Sequence, residues 1–478
     1  MHGSDMISVM SAFTPHSVEQ LRIDPLELLR RWPTDRPVAL LRSATESDRS
    51  PWSRWSVLTE PAGRFRIDEQ ISWIGEVDPP CPVPASGTPP MTALDQILRS
   101  TPDPAPGSAQ TDDCPLPRGG WLVVCAYELG RSIEPAAIGP TPRETDSAWP
   151  MLELLWCPTA LVHDASDDVW RAIGDCALPA LVEPAHEPDG LTAPGSTPDR
   201  AQYIDRVQQV IDAIHAGDVF QVNLARQLHT TASLAPRGLA AAALRNANPR
   251  YGFYAELPGQ DDETDRAVLS LSPELFLQVD DASRRVVTRP IKGTRPVSTS
   301  PDELARSPKD AAELHMIVDL MRNDLGRVCE PGSVRVVEGR TIESHPTVHH
   351  GVGEIHGTLA EGAGLPELLE ATFPPGSITG APKIRAMQII HELEELDRGP
   401  YCGAMGWLTR QAGCLSVGIR TLAMQGVFEN GCARFEGTIH YGTGGGIVSD
   451  SSPQDEFTET EDKAAVFAQL IGAPAGCG

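Results

Sequence analysis

Lys292 stands between two arginines in Thr288-Arg289-Pro290-Ile291-Lys292-Gly293-Thr294-Arg295-Pro296. A lysine of ordinary pKa is neutral in roughly one molecule in a thousand at pH 7, and lowering that pKa by about three units costs about 4 kcal/mol. Burial and neighbouring cations both press that way, and the neutral amine they favour is a nucleophile. Pro290 and Pro296 bound a short strand, and Gly293 leaves the backbone beside Lys292 open to close approach. The competing account is a solvated lysine at a strand end.

Glu274 lies in the apolar run Val268 to Val279. A carboxyl there either pairs with a cation or keeps its proton, and a retained proton is what a general acid needs. A hairpin through Asp280-Asp281-Ala282-Ser283 would bring Glu274 and Lys292 to one end of a sheet. Further acids recur at helical spacing: Asp310 and Glu313, three apart, then Glu456 and Glu459 with Lys463 four beyond. Such sets are ordinarily solvated surface; on two converging helices they would make the oxygen-rich environment that Mg²⁺ prefers. Phe220 to Arg226 alternates, aiming Gln221 and Asn223 one way, toward a site or toward solvent. Phe373 to Lys383 carries Ser377 into a helix N-terminus, where free N–H groups favour an anion. Tyr441 to Ile447 reads as a glycine turn and is no phosphate-binding P-loop, since no Gly-Lys-Ser/Thr follows at the required spacing.

Several elements must hold these residues. Thr197 and Pro198 open a helix with Tyr203, Val207, Val210, Ile211 and Ile214 at helical spacing, ended by Gly217. A second starts at Pro308 with the stripe Leu314, Ile317, Val318, Met321 and Leu325. A third carries Ile384, Met387, Ile390 and Leu393. Before residue 195 the chain reads as strands (Pro37 to Ser43, Pro51 to Leu58, Gly119 to Leu129, Trp149 to Leu161, Trp170 to Ile173), a short helix Met91 to Leu98, and Pro-rich loops at Pro79 to Pro90 and Pro102 to Pro117. The division expected is a flexible leader 1–18, a strand-rich part 19–195, a catalytic part 196–470 and a flexible tail 471–478. With 65 acidic against 39 basic residues in 478, the formal charge of −26 argues against nucleic acid or an anionic membrane as partner. No basic segment followed by an apolar run opens the sequence, no membrane-spanning apolar run is read in it, and ten scattered cysteines suit reduced thiols, so a cytoplasmic protein is expected.

From about residue 200 to 468 the chain resembles the chorismate-utilising enzymes. The resemblance rests on six ordered motifs: Phe220-Gln221-Val222-Asn223-Leu224, Ser270-Leu271-Ser272-Pro273-Glu274, Pro290 to Pro296, Met316 to Asp324, Gly376 to Lys383 and Gly444 to Asp450. Leu40 to Ser43, Ser53 to Trp55 and Gly119 to Gly130 match more loosely. Within the family the chain looks most like the aminodeoxychorismate-forming branch. Relatives that add water carry a lysine where this chain has Gln221, and anthranilate-forming relatives typically have alanine where it has Lys292.

The resemblance implies an α+β fold, two large mostly antiparallel sheets packed as a sandwich with helices outside. It implies Mg²⁺-dependent amination of chorismate at C4, with ammonia supplied by a glutamine amidotransferase subunit, toward p-aminobenzoate and folate. The alternatives it leaves are anthranilate formation and a non-catalytic tryptophan-binding regulatory subunit. By the same resemblance Lys292 is the nucleophile, Glu274 the general acid and His350 an active-site histidine. Asp310, Glu313, Glu456 and Glu459 correspond to the metal-site acids. Gln221, Ser377, Tyr401, Arg420, Gly444, Gly445 and Lys463 correspond to the substrate-binding set. Ser43 falls where relatives bind tryptophan, and whether this chain does so stays open.

Overall fold

A computed structural model describes residues 18, 21–43, 54–102, 119–137, 149–188, 194–260, 263–280, 283–345, 348–410 and 412–470. The expected tail, the leader apart from buried Val18, and most of the second Pro-rich loop lie outside the described residues.

Two eleven-stranded sheets dominate, every pairing antiparallel among the described residues. The first runs Gly380–Ala381, Gln221–Leu234, Arg434–Ile447, Thr421–Glu429, Asp265–Ser272, Tyr251–Leu257, Ala39–Arg42, Trp55–Thr59, Ala160–Asp164, Val169–Ile173, with Gly195–Thr197 on the second of these. The second sheet runs Ile291–Pro296, Val348–Thr358, Arg285–Arg289, Leu275–Val279, Gly413–Val417, Ala404–Leu408, Gly120–Cys125, Leu152–Cys157, Gly63–Ile67, Ile71–Ile74, with Arg335–Ser344 beside Val348–Thr358. Strands from both sides of residue 195 enter both sheets. Facing side chains such as Phe253 and Val268 from one sheet and Val124 and Met405 from the other share a buried cluster. This is the sandwich that the resemblance implied.

Two of the places where the chain changes sheets lie side by side. Asp265–Ser272 belongs to the first sheet and Leu275–Val279 to the second, so the run read as one segment is broken at Pro273-Glu274. Gly413–Val417 and Thr421–Glu429 repeat the step in reverse through Gly418-Ile419-Arg420. The crossings are laced together: Leu271 N donates to Arg420 O at 3.0 Å, and Val417 N to Glu274 O at 3.1 Å. Arg420 is held at φ 52°, a conformation that costs a non-glycine residue free energy and persists only where the surroundings impose it.

Local signals explain the helices. Ser307 accepts from Asp310 N, Pro308 occupies the first turn, and the stripe Leu314, Ile317, Val318, Met321 and Leu325 is buried in Pro308–Gly326. The helix Arg200–His215 is capped by Asp199, which forms a reciprocal box with Gln202. That corrects the reading of Thr197 as cap: Thr197 is instead in a short strand paired with Gln227. The strand begun at Gly120 ends at Cys125, and Leu129 already opens a helix. Pro90–Ser100 is helical, as its spacing predicts.

Candidate active site

Glycines in Arg434–Ile447 mark where side chains converge. The stretch read as a turn is a strand interior, laddered along Gln221–Leu234 with Gly446 opposite Asn223. A methyl group at Gly446 would lie 2.6 Å from Gln221 Nε2 and 3.0 Å from Lys292 Nζ, so these two side chains meet over a bare backbone. The pleat turns Gly445 to the other face. A methyl there would lie 2.9 Å from Glu456 Oε2 and 3.8 Å from Glu459 Oε1. Lys463 Nζ donates to Gly444 O and bonds Glu459 Oε1, both at 2.7 Å.

Gln221 is fully buried, yet neither its amide oxygen nor its nitrogen has a partner. A buried bare amide costs roughly 1–3 kcal/mol, so a partner is expected when the site is in use. The solvent-facing alternative for this strand is excluded, since residues 221 to 226 are buried throughout. Phe220, read as sharing a face with Val222 and Leu224, instead precedes the strand, which begins at Gln221, and is 71 % exposed.

Lys292 is half-buried, beside Gly293, whose φ of 80° interrupts the register between Ile291 and Thr294. A Cβ at Gly293 would strike Leu304 and Asp310 at 2.8 and 2.9 Å, so glycine lets the helix that follows lie against this strand. The flanking arginines do not crowd the amine as expected. Arg289 bonds Glu354 and Glu343, and Arg295 bonds Asp310 at 2.8 Å. The groups that feel the Lys292 charge are acids, Glu274, Glu313 and Glu459.

At the first crossing Glu274 is buried, and Ser377 donates to its Oε1 at 2.6 Å. Burial pushes its pKa up to about 7, against the opposing pull of the Ser377 hydroxyl and the Lys292 charge. It therefore holds a proton in a large share of molecules near neutrality. The hairpin Leu275–Val279 with Arg285–Arg289 forms as expected.

At the second crossing the Arg420 side chain has no hydrogen-bond or ion-pair partner among the described residues, and burial disfavours its charge. A half-buried guanidinium left bare is a receptor for a carboxylate. It acts on His350, which is buried and held well below the ordinary histidine range by burial first and then by Arg420 and His345. His350 is therefore neutral, its Nδ1 3.0 Å from Thr294 Oγ1. Tyr401 is buried with its ring where Gly442 lacks a side chain, 2.2 Å from the position of a Cβ.

The acids are less uniform. Glu313 and Glu456 are pushed up, burial first, with Glu459 adding repulsion to both; Ser451 bonds Glu456 Oε1 at 2.6 Å. Among the described residues no three acid, histidine or cysteine side chains are close enough to make a ready metal cage. Mg²⁺, however, takes only one or two protein carboxylates and fills its shell with water and substrate oxygens. The buried, unpaired Glu456 Oε2, facing the space that Gly445 leaves, suits such an ion. Asp310 is spent on Arg295 and fits the ion least.

Ser43 lies apart. It follows Ala39–Arg42, four strand spacings of about 4.8 Å from Arg434–Ile447, or about 19 Å. Sequence reasoning missed Lys309, whose charge reaches Glu313, Glu456 and Glu459, and Thr294 and Ser451, the partners of His350 and Glu456. Lys309 sits beside Asp310 in the first helical turn, a signal that was available. His345, its ring 5.2 Å from that of His350, gave none.

The profile of the chorismate binding enzyme family matches residues 44–469. Aminodeoxychorismate synthase component 1 of Salmonella typhimurium is 38 % identical, covering 77 % of this chain and 80 % of its own. Anthranilate synthase component 1 1 of Haloarcula marismortui is also 38 % identical, covering 76 % and 78 %. The crystal structure of anthranilate synthase component I from Streptococcus pneumoniae superposes with a TM-score of 0.69 at 23 % identity, covering 89 % of this chain and 93 % of that one.

Proposed function

The chain belongs to the chorismate binding enzyme family, and from that premise we propose that it aminates chorismate at C4 with ammonia, giving 4-amino-4-deoxychorismate. The observation that carries this reading is the meeting of Lys292 Nζ with the unpartnered Gln221 amide above Gly446. A lysine supplies a nucleophile there, and a glutamine supplies no base to activate water.

In this reading the Lys292 nitrogen attacks ring C2 through its lone pair, both ring double bonds shift, and the C4–O bond breaks. Glu274 gives its proton to the departing hydroxyl, which leaves as water, while Ser377 holds the other carboxyl oxygen. Ammonia then adds at C4, both double bonds return, and the lysine leaves C2 carrying a proton. One difficult displacement becomes two additions. Arg420 grips a substrate carboxylate, and neutral His350 lines the ring without adding charge. Glu456, with Glu459 or Glu313 as a second carboxylate, would hold Mg²⁺, which when bound neutralises a substrate carboxylate.

Ammonia comes from a separate glutaminase in this reading, which includes a cytoplasmic location and a place in folate synthesis. No helix among the described residues is long and apolar enough to cross a membrane. Anthranilate formation is the second reading, favoured by the equal identity to an anthranilate synthase. Chorismate, Mg²⁺ and ammonium salt given to the purified chain separate the two: aminodeoxychorismate is expected, and anthranilate fluorescence without an added lyase would overturn the choice.

A further inference from the structure

Outside the cleft, Arg398 is buried and its guanidinium is committed in every direction. Nε and Nη2 donate to Glu394 Oε2 and Oε1 at 2.8 and 2.6 Å. Nη1 donates to Ile378 O at 2.9 Å, and Nη2 also to Asn223 O at 2.8 Å. Glu394 Oε1 accepts in addition from Ala225 N at 2.8 Å. Glu128, from the first part of the chain, accepts from the backbone N of Arg398 and of Gly399 at 2.8 and 3.0 Å. Tyr127 N returns a bond to Gly399 O at 2.8 Å, and the Tyr127 ring lies 4.6 Å under the guanidinium.

These contacts join segments remote in sequence, three of which carry a residue of the cleft. Asn223 and Ala225 lie on the strand of Gln221. Ile378 follows Ser377, the hydroxyl that holds Glu274. Gly399 is two residues before Tyr401. We propose that Arg398, locked by Glu394 and Glu128, is a positioning residue that sets the separation of the Gln221 strand from the Ser377 turn and so aims the Glu274 proton. The proposal rests on the functional reading above, because it needs Gln221 and Ser377 to belong to the reacting cleft. A point charge cannot replace the fork: lysine could satisfy Glu394 or one carbonyl, but not two carbonyls and a bidentate carboxylate together.

The test uses the full chain carrying Arg398→Met, Arg398→Lys or Glu128→Gln, with two readouts. In steady-state kinetics with chorismate, Mg²⁺ and ammonium, Arg398→Met is expected to lower kcat about a hundredfold with KM for chorismate changed less than about threefold. Arg398→Lys and Glu128→Gln should lose about tenfold. Amide hydrogen exchange at residues 221–225 and 376–379 should quicken in all three. Folded variants with wild-type exchange there, or with kcat within twofold of wild type, overturn the proposal; should Arg398→Met not fold, the two milder variants decide by the same criteria. If the wild type itself does not turn over chorismate, the functional reading fails, while the exchange measurement still judges the positioning contacts.

Discussion

Two buried polar regions of this protein treat their charges in opposite ways. Around Arg398 every side-chain nitrogen and oxygen of Arg398, Glu394 and Glu128 has a partner among the described residues, and the uncharged Tyr127 hydroxyl beside them is bare. In the cleft the Gln221 amide is bare at both atoms, Glu456 Oε2 is unpaired, and Arg420 has no counter-charge among the described residues. Both regions carry the cost of removing charged groups from water, and only the first recovers it for its charged groups within the chain. The difference separates architecture from function: a satisfied buried charge holds backbone together, and an unsatisfied one is shaped for a molecule that arrives later.

The contrast can be broken most forcefully at the amine. Lys292→Ala should reduce C4 amination by at least about three orders of magnitude, as loss of a nucleophile does elsewhere, with residual product shifted toward anthranilate. Chromatography of the products checks this. Unchanged aminodeoxychorismate formation would leave the amine without its role.

A paired stability measurement sharpens the contrast next. Arg398→Met removes one partner of a buried ion pair and should cost about 3–5 kcal/mol in denaturant unfolding. Arg420→Met removes a charge with no partner, so it should be neutral or stabilising while raising KM for chorismate about ten- to a hundredfold. Equal destabilisation by both would erase the distinction between the regions.

The acids give a third test. Chelation should abolish turnover, and Mg²⁺ should restore it; Glu456→Gln should raise the Mg²⁺ needed for half-maximal rate, whereas Asp310→Asn should raise it less. Titration of Mg²⁺ against initial rate decides this order.

The smallest effect concerns pH. Glu274 must be protonated to act, so activity should fall as pH rises through about 7. The Ser377 hydroxyl stabilises the carboxylate form and lowers that midpoint. Ser377→Ala should therefore move the falling limb to higher pH, read from kcat/KM against pH.

Much of this site was legible in the sequence because its signals are local. The stripe behind Pro308 places Asp310 and Glu313, and the hairpin through Asp280 to Ser283 brings Glu274 toward Lys292. What stayed hidden is set by contacts distant in the chain. Nothing in Ser272-Pro273-Glu274 tells that the backbone leaves one sheet for another there. Tyr441 to Ile447 looks like a turn because it is rich in glycine. The glycines are required instead by Gln221, Lys292 and Glu456, whose approach no neighbouring residue announces. The Arg398 hub draws on residues 128, 223, 378 and 394, so no window of sequence contains it. Phe220 misled because the strand begins one residue later, at Gln221, so the alternation does not extend back to it.

The central claim is that Lys292 bonds to the substrate. Incubating the chain with chorismate and Mg²⁺ while withholding ammonia, then digesting and weighing the peptides, tests it directly. The account predicts an adduct of chorismate less one water on the peptide bearing Lys292, discharged as aminodeoxychorismate when ammonium is added. Turnover on adding ammonium, with Lys292 unmodified at every time point before it, would contradict the account.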